Sequence, residues 1–438
     1  MQWNRRLSLM ALATGLGLVS AACAAGPVDG AAAAGAPSTA VAQLGEPTRF
    51  PPPTAVPALP RPEIESREDP NVIQDRPGFT TEEWSTNFDK RSISYLELAS
   101  GGPPKDGIPA IDEPKHDTVQ QANEWMEDRE PVLALTLGGE SRAYPLHILI
   151  WHEIVNDELG GVPATVTYCP LCNSALVFDR RFEGRMLDFG TTGKLRLSDL
   201  VMYDRQTESW WQQLTGEAII GDLTGGQLTF IPAPLVAWSD FKSEHPEGTV
   251  LSRDTGHSRR YGENPYGFYD TRDKPMVFYR GPDDARLQAM ERVLAVDHDG
   301  LSLAIPFSLI TEEGVIPFEL GDLEAVAFHQ SGTASALDTF WLPGGRDVGS
   351  TNVFVPVIDG QALTFASTES GFLDTETGSS WTILGRAVSG PLEGAQLTQV
   401  PHGNHFWFAW ATFHPDTAVI EAQDLAVASG ETITTSSN

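Results

Sequence analysis

Three of the 438 residues are cysteine. So few thiols cannot build a disulfide framework, and chemistry at sulfur must concentrate in one place. Beyond the N-terminus no window holds the roughly 18 or more consecutive apolar residues of a membrane span. Positive charge is scarce too. Lys plus Arg number 29 against 59 Asp plus Glu, a formal net charge of -30. Such a surface repels phosphate backbones and anionic lipid, which argues against a nucleic-acid partner and favours solubility. Several signatures are missing: a P-loop, a dinucleotide fingerprint, HExxH and GxSxG. "CPLCN" also lacks the following histidine that covalent haem attachment requires.

The first residues read as a targeting segment. Arg5 and Arg6 precede the short apolar run "LSLMALATGLGLV" and the small-residue stretch "SAACAA". This pattern predicts a signal peptide over 1–22 and an exported protein, periplasmic or at the cell surface. Cys23 follows directly and is the candidate site for a lipid anchor, the one membrane attachment expected. Residues 23–85 are rich in Ala, Gly and Pro and read as a tether that buries no core. The body is expected over 86–438.

That body carries a duplication. "EPVLALTLGGESRAYP" (Glu130–Pro145) lies over "ERVLAVDHDGLSLAIP" (Glu291–Pro306) without a gap. Farther on, Trp211 aligns with Trp381, Trp238 with Trp407, and His245 with His414. The reading is a first unit over 128–251, an inter-repeat loop over 252–288, a second unit over 289–421 and a tail over 422–438. Short β-branched runs bounded by Gly, Asp and Asn predict a mainly β body, α+β with few short helices. "VLALTL" and "SRAYPL" around "GGE" predict a hairpin. "DTVQQANEWMED" predicts a helix capped by Asp117, with Gln120 in a capping box and Val119, Ala122 and Met126 on its apolar side. The copies are expected to pack about a pseudo-twofold axis.

Residues that both copies share belong to the scaffold, so unshared residues are the candidates for chemistry. "VTYCPLCNSAL" (Val166–Leu176) laid over "VAFHQSGTASAL" (Val326–Leu337) sets Cys169 on His329. Two thiols and an imidazole at matching turns predict a site for a thiophilic transition metal, copper or zinc, held by Cys169, Cys172 and His329. His298, His402 and His405 are candidate fourth ligands. The "SDLVMYD" run offers Asp199, Asp204 and Arg205 as cleft-wall or ion-paired turn residues. Whether the metal would do chemistry is left open. The alternatives are a thiol–disulfide redox protein and a non-catalytic ligand-binding module. The inter-repeat loop mixes Arg253, Asp254, His257 and Arg260 with Tyr261 and Tyr266. It reads either as a binding loop for a small molecule or as a strap across both units.

The runs "VTYCPLCNSALVFDR", "FGTTGKLRLSDLVMYDRQTESWWQQLTGEAIIG", "YGENPYGFYD" and "FWFAWATFHPDT" resemble the DUF3179 family, exported bacterial and archaeal proteins of unknown function. The resemblance spans about residues 90–421. It implies the fold and an extracytoplasmic location, and it carries no site residues. The usual glycine after the second cysteine is here Asn173, which tolerates the left-handed turn the glycine implies.

Overall fold

Hairpins dominate because the apolar runs are short and separated by residues that accept positive φ. Gly138 and Gly139, both at positive φ, turn Pro131–Leu137 into Glu140–Pro145, the hairpin that the sequence predicts. The computed structural model describes residues 75–428. These lie within one unit, Ile64–Asn438. The predicted signal peptide, Cys23 and most of the predicted tether fall outside the described residues. The packed chain reaches back to Asp75, which accepts from Ser94 Oγ at 2.6 Å, and Phe79 stacks on Trp210.

The body is mostly β, with six α-helices among the described residues, none longer than seven residues. The helix near Asp117 is shorter and shifted. It covers Val119–Ala122, with Thr118 as cap and Gln121 closing the capping box, while Asp117 accepts from Trp125 Nε1. Thr118 wins because His116–Thr118 pairs as a strand with Thr249–Leu251, which keeps Asp117 extended. Val119, Ala122 and Met126 are buried, as their spacing predicts.

The two copies repeat one strand order. In the first, Leu235–Ala237, Pro131–Leu137, Glu140–Pro145 and Thr249–Leu251 lie side by side, the last pair parallel. In the second, Gly403–Phe406, Arg292–His298, Leu301–Pro306 and Ala418–Val419 do the same, again with a parallel last pair. Register agrees as well: Val132 faces Pro145, and Val293 faces Pro306. Trp211 Nε1–H donates to Asp204, and Trp381 Nε1–H donates to Asp374, at 2.9 and 2.8 Å. These shared contacts are scaffold, which places Asp204 there.

A second sheet follows in each copy. In the first it runs Phe230–Ile231, Ser174–Asp179, Val162–Cys169, Ile154–Leu159; in the second, Thr398–Gln399, Ser350–Val355, Leu323–Gln330, Val315–Leu320. The main core joins the two copies. It includes Cys169, Cys172 and Phe178 of the first, Tyr269 of the inter-repeat segment, and Phe406 and Trp407 of the second.

Candidate metal centre

Cys169 ends the strand Val162–Cys169 and pairs with Ser174, so Pro170–Asn173 forms a tight hairpin connection. Cys172 N–H donates to Cys169 O at 3.2 Å, and Asn173 takes φ 51°. The turn therefore is left-handed, with asparagine accepting the conformation. Both thiols are buried and free. A second hairpin meets them. Phe189–Arg196 returns as Asp199–Asp204 through Leu197 and Ser198, at φ 50° and 78°. Two consecutive positive φ values define a turn that ordinarily takes Asn-Gly. Here a leucine and a serine hold it, and the Ser198 carbonyl stands 3.6 Å from Cys172 Sγ and 3.9 Å from Cys169 Sγ.

Asp199 completes the cluster. Its carboxylate and the two sulfurs offer three ligand atoms within 4.8 Å of one another, all buried. One carboxylate oxygen, Oδ2, accepts from Leu214 N–H at 3.0 Å and from the Gln212 side chain. The other, Oδ1, is buried without a partner. A buried carboxylate oxygen left unpaired costs free energy that a bound cation would recover. Ser198 Oγ and Ser174 Oγ are likewise buried and unpartnered.

Electrostatics point the same way. Burial raises both thiol pKa values, Cys172 well above the ordinary range, with Asp199 adding to the rise. Burial pushes Asp199 up to about 6, against the hydrogen bonds from Leu214 and Gln212 and the opposing influence of the two thiols beside it. Glu153 lies outside the three-atom cluster but is coupled to it electrostatically. Burial and then the Asp199 charge push it up to about 8, and its own charge acts on Cys169. Two thiols and a carboxyl crowded together, with a second carboxyl coupled to them, cannot all ionise without a cation. Protonated thiols in this setting are poor nucleophiles.

His329 is not a member of this cluster. Its Nε2 lies 3.2 Å from Thr311 Oγ1 and 3.4 Å from Val348 O, beside the Phe307 ring. The strand register explains the difference. Ile154 faces Thr167 and Val315 faces Phe328, so Tyr168, not Cys169, occupies the position of His329. A one-residue slip turns a side chain to the opposite face of its sheet. The CPLCN hairpin has no counterpart; residues 331–349 leave the sheet there before Ser350 pairs with Gln330. His298 sits at the surface against Asp322, and His402 and His405 line a separate cavity.

The inter-repeat residues divide among several contacts. The Arg253 guanidinium lies 4.6 Å over the Trp125 ring, and its Nε stands 3.4 Å from His147 Nε2. Asp254 pairs with Lys115 and Arg260 with Glu263, both at the surface. Tyr261 Oη bridges His152 Nε2 and Thr255 Oγ1, and the His257 ring is 5.3 Å from that of His152. Tyr266 lies near Glu153 and Cys169, and Tyr269 Oη donates to Leu171 O inside the CPLCN turn. The segment thus straps over the cysteine hairpin. Arg205 pairs with Asp106 and Asp112.

A family model described as a protein of unknown function, DUF3179, matches residues 105–417. The chain belongs to the DUF3179 family. The matched span contains the first copy, the strap, the second copy as far as Thr417, and all of Glu153, Cys169, Cys172 and Asp199. No curated protein and no solved structure matches the chain.

Proposed function

We propose that this DUF3179 protein is an extracytoplasmic zinc protein whose ion is held by Cys169, Cys172 and Asp199, with Glu153, which lies outside that cluster, drawn in as fourth donor. The observation that carries the reading is the unpartnered, buried Asp199 Oδ1 in a cluster with two buried thiols. A tetrahedral zinc site sets neighbouring S and O ligands roughly 3.3–3.8 Å apart, so only a small contraction of the 4.8 Å cluster is required. Two thiolates with carboxylates suit zinc; copper(I) favours sulfur throughout, and copper(II) favours imidazole. Binding would release the thiol protons and neutralise most of the charge.

The enclosure argues for an ion that holds structure. Cys172 and Asp199 are fully buried, and Cys169 is 2% exposed. Structural zinc sites are closed in this way, whereas catalytic ones keep an open position. The ion would pin the CPLCN hairpin to the Leu197–Ser198 hairpin under the strap.

Metal analysis of protein prepared without chelator tests this. One zinc per chain is expected, lost in a Cys169→Ser, Cys172→Ser double variant and reduced in Asp199→Asn, but retained in His329→Gln. Equal metal in wild type and the double variant would remove the proposal. So would a Cys169–Cys172 disulfide in metal-free protein as isolated, which would favour the thiol–disulfide reading.

A further inference from the structure

A cavity of about 380 Å³ opens between the two copies, away from the thiols. One wall comes from the first copy, including Leu176, Leu228 and Phe230. The other comes from the second, including His402, His405 and His414. The volume falls in the range of small-molecule sites, roughly 300–1,000 Å³.

The second wall is chemically unusual. His405, Trp410 and His414 form a continuous ring stack, with centroids 5.3 and 3.7 Å apart. Nδ1 of His405 and Nδ1 of His414 are both buried without a hydrogen-bond partner. The duplication shows that scaffold needs do not require this imidazole. Val293 faces His405, and Val132 faces Val236, so the first copy fills the His405 position with valine. Burial pushes the His405 pKa down to about 3, so the ring is neutral and offers a lone pair. His414 Nε2 faces an Asp297 oxygen at 3.4 Å, while its Nδ1 is left without a partner. A half-turn about Cβ–Cγ would set Nδ1 of His405 where Cδ2 stands and Nε2 where Cε1 stands without breaking the stack, so the ring can turn a nitrogen toward an incoming group.

The unmet need is therefore a hydrogen-bond donor in an apolar, aromatic chamber. No Lys or Arg lines the cavity, and Asp297 does, which disfavours carboxylates and phosphates. The ring nitrogens of the three histidines do not form a cluster within 4.8 Å, so an ion is not the fitting occupant. We infer that this cavity binds a small neutral phenol, whose ring packs against the Leu176, Leu228 and Phe230 wall and whose hydroxyl donates to His405. This site is independent of the zinc reading.

Calorimetric titration of the full body with 2-naphthol, its methyl ether and 2-naphthoate tests the assignment. Saturable binding of 2-naphthol is expected, roughly 3- to 10-fold tighter than the ether, which lacks the donor. Naphthoate should bind weakest. His405→Val, the residue of the first copy, should abolish the preference for naphthol over ether while unfolding stays cooperative. Ala233→Trp should block both by filling the cavity. Equal affinity for naphthol and ether, unchanged preference in His405→Val, or no binding of naphthol to folded wild type would each overturn the inference.

Discussion

Glu153 and Gly314 hold the same position in the two copies. Each follows a seven-residue helix at positive φ, 58° and 74°, and each donates its N–H back to the helix, to Leu149 O and Ile310 O. Glycine reaches this conformation without strain, whereas a side chain adds about 1 kcal/mol or more. The first copy accepts that cost and buries a carboxyl beside the thiols. Glu153→Gly should therefore stabilise chelator-treated protein by about 1 kcal/mol, after allowing for the freer unfolded chain. In zinc-loaded protein the gain should shrink or reverse as a donor is lost. Thermal unfolding in both states is the measurement; equal gains would remove Glu153 from the ligand set.

The Leu197–Ser198 turn makes a related demand. Ser198 takes φ 78°, and its Oγ is buried without a partner. Ser198→Gly relieves the conformation and deletes the unpaired hydroxyl, while the carbonyl facing the sulfurs belongs to the backbone and remains. A stabilisation of about 1–2 kcal/mol is expected by denaturant titration. A loss of stability would mean that the hydroxyl serves a partner or an ion.

Much of the architecture was legible in the sequence, and the failures have one source. The segment Glu130–Pro145 repeats as Glu291–Pro306 in both letters and register. Beyond it, "SAL" at Ser174–Leu176 finds a false match at Ser335–Leu337. The strand that corresponds to Ser174–Asp179 is Ser350–Val355, after the chain has left the sheet over 331–349. Forcing the match slips the preceding strand by one residue, which is how His329 came to stand on Cys169. Asp199 and Glu153 are unshared residues, the class in which the sequence reading looks for chemistry. Asp199 sits in a hairpin of strands Phe189–Arg196 and Asp199–Asp204 that outruns its counterpart, Phe365–Thr368 and Gly371–Asp374. The convergence of Asp199 on the thiols is a property of the packed sheets, and spacing alone does not encode it.

The strap is anchored through a buried ion pair. Asp270 accepts from Arg292 at 2.7 Å and from Arg346 at 2.9 Å, with Ser335 Oγ adding a further bond. Burial works to raise the Asp270 pKa, but Arg292, Ser335 and Arg346 together hold it below the usual carboxylate value. Asp270→Ala strands the buried Arg292 guanidinium and should cost roughly 3–5 kcal/mol. Adding Arg292→Met should recover part of that loss, since an apolar pair leaves no charge unpaired. Urea unfolding of the singles and the double gives the coupling; strictly additive losses would mean that the pair does not interact.

His405 should make the protein sensitive to acid. Burial pushes its pKa down to about 3, from about 6.5 when unfolded. Between these values the unfolded chain binds a proton that the folded one refuses, so stability rises with pH and falls as pH drops from 6.5 toward 3. One such group contributes a slope of up to ~1.4 kcal/mol per pH unit. Other buried groups titrate nearby, and Asp240, raised by burial to about 6, works in the opposite direction. The comparison that isolates His405 is therefore wild type against His405→Val, by urea unfolding at pH 7.5 and at points down to pH 4.5. The two curves should lie nearly parallel above pH 7. Below 6.5 the variant should gain on wild type with each step, because valine has no proton to take up when the body opens. A constant gap across the whole range would show that the imidazole titrates alike in both states and is not held neutral by its burial.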